Sequence, residues 1–304
     1  MNVLIIGGNG FIGSHLIDEM LKNGHQVVVY DLAYERFRQP LENVEYAIGS
    51  LDKIEFFKET LTGIDIVYHL ASGSVPSTSN VDAISDVQGN LISTLNVVNA
   101  CVEKGIKRFV YFSSGGAVYG PSTENIISEE HILKPISSYG ILKVTIENYL
   151  HLYEKLYGLK TLIIRPSNPF GIRQGNFGAQ GVISTFLKKT MLGEPLVIFG
   201  DGQSTKDYIF IRDLIKITYN LSMKFEHGVF NVGRGKGLSL LSIISHITEV
   251  TKIKPELNFT DFKNYDVSNF VLDIQKLDKA LGGVSFTDFE QGIEETWNWI
   301  NTLK

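Results

Sequence analysis

The chain has 304 residues, 43% hydrophobic and 20% charged, with a formal net charge of −5. That suffices for one large unit or two domains sharing a cleft, and the negative balance argues against a general nucleic-acid binder or a basic membrane-surface protein. A single cysteine, Cys101, excludes an internal disulfide and fits a reducing, cytoplasmic setting.

Asn2-Val3-Leu4-Ile5-Ile6 is a branched apolar run that reads as a buried strand. It starts at once, so no signal peptide is expected. Gly7-Gly8-Asn9-Gly10-Phe11-Ile12-Gly13 follows, then a helical pattern over 14–23. Glycines at this spacing let the backbone turn tightly and approach a pyrophosphate seated on the helix start. A second strand over 26–30 ends in Asp31, placed to bond a ribose 2′-hydroxyl and to repel an extra phosphate there. The order strand, glycines, helix, strand, acid points to NAD.

Further strands read over 44–48, 64–70, 108–112 and 161–165, and further helices over 53–60, 81–103 and 138–157. This alternation predicts an α/β fold with a doubly wound parallel sheet. Ligands then bind at the carboxyl ends of its strands, where Asp31, Ser113-Ser114 and Arg165-Pro166-Ser167-Asn168 fall. Cys101 lies in an apolar helical pattern and reads as a core residue. After Pro166 the pattern loosens, with glycines and short strands expected within 172–181 and 196–202. The expected division is a dinucleotide-binding domain over 1–166, to which about 208–233 returns, and a smaller mixed α/β domain over 167–304. No apolar run reaches about 18 residues, so no membrane span is expected. The seven histidines show no close metal-ligand spacing, and no metal is expected.

Tyr139 and Lys143 stand four apart on one helix face. A nearby ammonium favours a phenolate and pulls a tyrosine pKa of about 10 toward neutrality, which would make Tyr139 a general base.

Taken with Gly7-x-x-Gly10-x-x-Gly13, Asp31, His69-Leu70-Ala71, Asn90, Phe112-Ser113-Ser114, Val118-Tyr119-Gly120, Arg165-Pro166-Ser167-Asn168-Pro169-Phe170-Gly171 and Gly200-Asp201-Gly202, the chain resembles the extended short-chain dehydrogenase/reductase family. Within it the nucleotide-sugar epimerases and dehydratases, and the UDP-glucose 4-epimerase group in particular, are most similar. The resemblance runs over essentially the whole chain. It implies a Rossmann domain in which Gly7, Gly10, Phe11, Ile12 and Gly13 cradle the NAD diphosphate and Asp31, with Leu32, holds the adenosine ribose. Ser50 and Leu51 would flank the adenine, although the family usually has Asp where Ser50 stands. Leu70, Ala71, Ser72, Asn90, Ser113 and Pro166 would line the cofactor path, and Lys143 would bond the nicotinamide ribose. Gly115, Asn168, Val182, Tyr208 and Asp266 would touch the nucleotide sugar. The family clamps the diphosphate with two arginines; the matching positions here are Lys206 and Lys263. Lysine keeps the charge and loses the two-pronged contact, so a looser site is expected.

The family usually places Ser or Thr four residues before the tyrosine of Val-Tyr-Gly. Here that position is Gly115, and Ser114 is the candidate substitute; otherwise Ser114 caps a turn. In the resembling dehydratases an Asp-Glu pair stands at Gly116 and Ala117, and elimination needs such proton-moving groups. Their absence favours a redox-neutral C4 epimerase working through a 4-keto intermediate, and the resemblance alone implies that its hexose is carried on UDP. The alternatives are a 4-keto-sugar reductase, a sugar-nucleotide dehydrogenase, or a silent nucleotide-sensing relative. The resemblance also implies a homodimer formed by the helices over 81–103 and 138–157, with Ile141, Val144, Leu152 and Leu156 on the second; the alternative is that these residues face their own core.

Overall fold

A computed structural model of the chain describes residues 1–74, 78–124, 126–175, 181–261 and 269–303. The first half alternates as expected: β1 (Asn2–Ile6), α1 (Phe11–Lys22), β2 (Gln26–Asp31), β3 (Val44–Ile48), α2 (Ile54–Glu59), β4 (Ile66–His69), α3 (Ala83–Asp86), α4 (Ser93–Glu103), β5 (Arg108–Phe112), α5 (Gly115–Val118), α6 (Ser138–Tyr157) and β6 (Lys160–Pro166). Then come β7 (Asn168–Phe170), α7 (Val182–Leu192), β8 (Leu196–Phe199), β9 (Thr205–Phe210), α8 (Ile211–Lys224) and β10 (Gly228–Val232). The chain ends with β11 (Gly237–Ser239), α9 (Leu240–Thr251), β12 (Leu257–Thr260), α10 (Gln275–Leu281) and α11 (Phe289–Asn301).

Seven strands form one parallel sheet in the order β10-β6-β5-β4-β1-β2-β3. The order reverses between β1 and β4, and a crevice opens there at the strand ends. Period-2 alternation builds both covering layers. Val3, Ile5, Val27, Val29, Tyr68 and Ile164 face α1 and α8, whereas Leu4, Ile6, Val67, Phe109, Tyr111 and Ile163 face α2, α4 and α6. Because both faces are covered, the strands read as continuous apolar runs. Cys101 is fully buried in the second layer, where burial pushes its thiol pKa up and leaves it inert. A three-stranded sheet, β11-β9-β7, and a parallel pair, β12-β8, make the smaller mixed part.

Three expectations change. The helix expected over 81–103 is interrupted: α3 ends at Asp86, residues Val87–Ile92 widen into a π-helical turn, and α4 resumes at Ser93. The Asn90 side chain donates to the Asp86 carbonyl at 3.2 Å and to its carboxylate at 2.7 Å, competing with regular helix bonds. No strand lies among the described residues of 172–181; Arg173 there has a left-handed φ of 65°, and the short strand is β7, just upstream. Finally, α1 begins at Phe11, inside the glycine run, because Gly10 serves as its N-cap.

The register of α6 needs only local signals. Ser137 caps it through a 3.2 Å bond from the Gly140 amide, and apolar Leu142, Ile146 and Leu150 recur every four residues on the buried face. On its other side Ile141, Tyr149, Leu152 and Leu156 are exposed. Of the four residues proposed for a partner helix, only Val144 turns inward, packing beside Val118 and Leu272.

Candidate active site

Parallel register puts the ends of β1, β2, β4, β5 and β6 on one edge, so Asp31, the last residue of β2, stands in line with Gly7, Leu70, Ser113 and Ser167, which follow the other four strands. Between β1 and α1 the Gly10 amide closes a turn on the Gly7 carbonyl at 3.2 Å. A Cβ on Gly13 would lie 2.3 Å from that same oxygen, so the helix start rests backbone to backbone on the loop. Gly10 offers no side-chain cap and the first turn of α1 has no acidic residue. The positive end of this helix is thus left to an anion, which fits a dinucleotide diphosphate.

The Asp31 carboxylate accepts from the Asn9 amide at 2.9 Å and the Leu32 amide at 2.7 Å, and burial raises its pKa above the ordinary value. This fixes it beside the glycine loop, while the Leu32 side chain is exposed. Arg38 bonds to Asp18, to Glu35 and to the Ser14 carbonyl, so its guanidinium is committed to the chain's own groups. That arrangement suits an unphosphorylated ribose. The Gly49 amide bonds to the Asp31 carbonyl at 2.8 Å, bringing Ser50 and Leu51 alongside; the Ser50 hydroxyl donates to Asp52 at 2.9 Å.

Ala71, Ser72, Asn90, Tyr111, Tyr139 and Lys143 line one narrow cavity next to these strand ends. Asn90 is oriented on both sides: its Oδ1 accepts from the Gly73 amide at 2.7 Å while its Nδ2 is held by Asp86. Asp86 also accepts from Ser138, the residue before Tyr139, at 2.6 Å. The π-helical turn is therefore pinned to the start of α6.

The Lys143 ammonium donates to the Phe112 carbonyl at 2.7 Å and lies 4.7 Å from the Tyr111 ring centroid and 5.5 Å from that of Tyr139. Burial lowers its pKa to about 8, against the opposing charge of Glu147. Tyr139 departs from expectation. Burial pushes its phenol up to about 12, a hydrogen bond with Ser114 pulls it down, and the Asp86 charge pushes it up again. Desolvation of the phenolate dominates, and Lys143, directed to the Phe112 carbonyl, is not among the groups that lower the pKa.

Lys143 has a stability consequence. Its folded pKa of about 8 lies below the ordinary 10.5, so holding the charge opposes folding fully below pH 8. The penalty, on the order of 3 kcal/mol, fades as pH rises from about 8 to about 10.5. Lys143→Met should therefore stabilise the cofactor-stripped protein at pH 7 and lose that advantage near pH 10.5, as measured by urea unfolding across pH. An equally stable or weaker variant at pH 7 would count against this electrostatic account.

Ser114 stands at the N-cap of α5 without a side-chain capping bond, and its hydroxyl is turned to Tyr139 instead. Gly115 has no room for a side chain: a Cβ there would sit 2.9 Å from the Pro166 carbonyl oxygen and 2.9 Å from Leu272 Cδ1. The hydroxyl that reaches Tyr139 is that of the neighbouring Ser114. Ser114→Ala should lower kcat by roughly 10- to 100-fold, about 1.4–2.7 kcal/mol, and adding Gly115→Ser should not restore it. A loss under about threefold, or rescue by the second change, would rule out this role.

On the substrate side, β7 pairs with β9 so that Asn168 stands opposite Tyr208, and Asn168 Nδ2 donates to the Asp207 carbonyl at 2.8 Å. Tyr208 is buried, and Val182 opens α7 half-buried. Asp207 is fully buried, accepts from the amides of Arg234 and Gly235 at 2.9 and 3.0 Å, and is raised by burial to about 6. Lys263 and Asp266 lie outside the described residues.

Sequence reasoning passed over Tyr111, Asp86 and Glu147, and gave Arg165 a place at a strand end without a partner. The Ser113 hydroxyl, expected along the cofactor path, donates instead to buried Glu147, which Arg165 grips from β6. Two of these residues had a legible signal: Asp86 is four before Asn90 and Glu147 four after Lys143, each on the same helical face as its partner.

The model of the NAD dependent epimerase/dehydratase family matches residues 3–233. A UDP-glucose 4-epimerase of Mycolicibacterium smegmatis is 33% identical over 97% of this chain and 97% of its own. A dTDP-4-dehydro-6-deoxyglucose reductase of Escherichia coli is 32% identical, over 96% and 95%. The crystal structure of the Thermotoga maritima UDP-glucose 4-epimerase with UDP-glucose superposes with a TM-score of 0.95 at 31% identity, covering 100% of both chains.

Proposed function

The chain belongs to the NAD dependent epimerase/dehydratase family, and from that premise we propose that Tyr139, Lys143 and Ser114 act together on the C4 hydroxyl of a UDP-hexose. The protein is an NAD-dependent nucleotide-sugar 4-epimerase working through a transient 4-keto sugar. The observation that carries the residue assignment is the convergence of Ser114 and Lys143 on Tyr139, in a segment with no carboxylate at Gly116 or Ala117. Such a site can move one proton at one oxygen and has no groups there for eliminating water.

When bound, NAD supplies the hydride acceptor and donor and a positive charge on the oxidised nicotinamide. The chain supplies the rest. Ser114 receives the C4 hydroxyl and hands its proton toward Tyr139. Tyr139 holds that proton and returns it when C4 is reduced from the opposite face. Lys143, anchored on Phe112 with its charge 5.5 Å from the Tyr139 ring centroid, would bond the nicotinamide ribose when NAD is bound. Asn168 and Lys206, with Lys263 beyond the described residues, tether the diphosphate so that the keto sugar turns without leaving.

Incubation of the purified protein, with no cofactor added, with UDP-glucose, UDP-galactose and their N-acetyl forms tests the reading. Interconversion of a C4 pair is the expected result. No conversion, followed by turnover only of a 4-keto sugar with NADH supplied, would move the chain to the reductases.

The apolar row Ile141, Tyr149, Leu152 and Leu156 supports a homodimer through α6. No helix among the described residues is long and apolar enough to cross a membrane; a cytoplasmic location is part of the same proposal.

A further inference from the structure

Beneath the Tyr139–Lys143 face of α6 lies a buried polar chain that the reaction as described does not use. Glu147 is 2% exposed and Arg165 4%. Arg165 Nε reaches Glu147 Oε1 at 3.1 Å and Nη2 reaches Oε2 at 2.6 Å, a two-pronged pair between α6 and β6. The third arm, Nη1, donates to the Tyr119 hydroxyl at 2.8 Å, and Tyr119 donates to Asn231 Oδ1 on β10 at 2.6 Å. Asn231 Nδ2 in turn donates to the Ile127 carbonyl at 3.0 Å. The second acceptor duty of Glu147 Oε1 is the Ser113 hydroxyl.

This chain touches the reacting group at two points. Ser113 is the covalent neighbour of Ser114 and anchors the end of β5, from which α5 departs. Glu147 is one helical turn from Lys143 on the same helix face, so its charge faces the ammonium through a low-dielectric interior. A buried ion pair is weak evidence for stability by itself, since apolar residues of similar volume commonly serve as well. The place of Glu147 on the same helix face as Tyr139 and Lys143 points to another role.

We propose that Glu147, held by Arg165, is a positioning residue for the epimerisation. Through Ser113 it sets the Ser114 hydroxyl against Tyr139, and through its charge it keeps Lys143 an ammonium. The inference rests on the reading of Tyr139, Lys143 and Ser114 as the reacting group.

The groups facing these residues define what a pH experiment reports. Lys143 meets Tyr111 from β5, His69 from β4, and Tyr139 and Glu147 from its own helix. Glu147 meets Arg165, Tyr111 and Ser113. Asp86 faces Tyr139 from α3. Of these, Glu147 raises the Lys143 pKa and burial lowers it. Removing the carboxylate therefore shifts the limb belonging to Lys143 to lower pH.

The experiment uses the holoenzyme. Glu147→Gln alone leaves Arg165 buried without its counter-ion and is a poor test if the protein fails to fold. Glu147→Gln with Arg165→Met removes both charges at similar volume and keeps the test open. The expected result is a folded, NAD-bearing double variant with kcat lower by about 10- to 100-fold and KM for the nucleotide sugar within about threefold. The alkaline limb of its kcat profile should fall to lower pH, because Glu147 is the charge that opposes the effect of burial on Lys143. Ser113→Ala separates the two effects: kcat falls while the alkaline limb stays, because the charge remains. A folded double variant with the parent's kcat and pH profile would overturn the proposal. That failure is distinct from failure of the Tyr139 assignment, which is decided by substitution of Tyr139 itself with Glu147 intact.

Discussion

Tyr139→Phe is expected to lower turnover of the nucleotide sugar by at least about a thousandfold while leaving fold and bound NAD intact. Proton transfer by a positioned side chain is commonly worth 10²- to 10⁴-fold. Here the loss belongs at the upper end, because no neighbour can take over. Lys143 is directed to the Phe112 carbonyl. Ser114 can relay a proton only if a base stands behind it, and Asp86 is held by Asn90 and Ser138. The fold should hardly notice, since the phenol's assigned hydrogen-bond partner in the site is Ser114 and the ring keeps its place against Lys143. The check is product formation by chromatography, alongside circular dichroism and the NAD content of the purified variant. Activity within tenfold of the parent, in a variant carrying NAD, would remove Tyr139 from the chemistry.

The raised pKa of Tyr139 sharpens that expectation. Burial holds the phenol at about 12, and the positive charge that oxidised nicotinamide would bring has the sign that lowers it.

The sheet and the helix that carries Tyr139 and Lys143 were legible because they obey short-range rules. Six strands up to Pro166 follow from apolar runs, and α6 runs over the expected 138–157 because Ser137 caps it and Leu142, Ile146 and Leu150 keep one period. What escaped depends on contacts between distant residues. The π-helical turn arises where Asn90 and Asp86 bond each other and both meet segments elsewhere, Gly73 and Ser138. The inward turn of Ser113 requires Glu147, 34 residues on. The crowding that makes Gly115 obligatory comes from Pro166 and Leu272, and no local pattern announces it. Spacing put Lys143 and Tyr139 on one face of α6, as the structure has them, yet the direction of the tyrosine's shift depended on burial, which spacing does not report.

Gly13→Ala is expected to cost the protein its cofactor and about 3 kcal/mol or more of stability. The added methyl would stand 2.3 Å from the Gly7 carbonyl oxygen and 2.6 Å from the Gly8 Cα, distances no relaxed side chain tolerates. Both obstacles are backbone, so relief requires moving the glycine loop away from α1. That loop is fixed at its other end by the Gly7 amide bond to the Tyr30 carbonyl at 2.9 Å, and the Asn9 amide is fixed by Asp31 at 2.9 Å. Displacing the turn would thus disturb the diphosphate seat and the ribose acid together, and affinity for NAD should fall by at least about 100-fold. Gly10→Ala provides a graded comparison: its methyl would meet the same Gly7 oxygen at 3.3 Å, close enough to need only a shift of a few tenths of an ångström. The expected order is parent, then Gly10→Ala, then Gly13→Ala, in both NAD retained on purification and thermal midpoint. A Gly13→Ala protein that purifies with a full complement of NAD would show that this turn is not where the diphosphate rests, and Asp31 would then lose its role at the ribose as well.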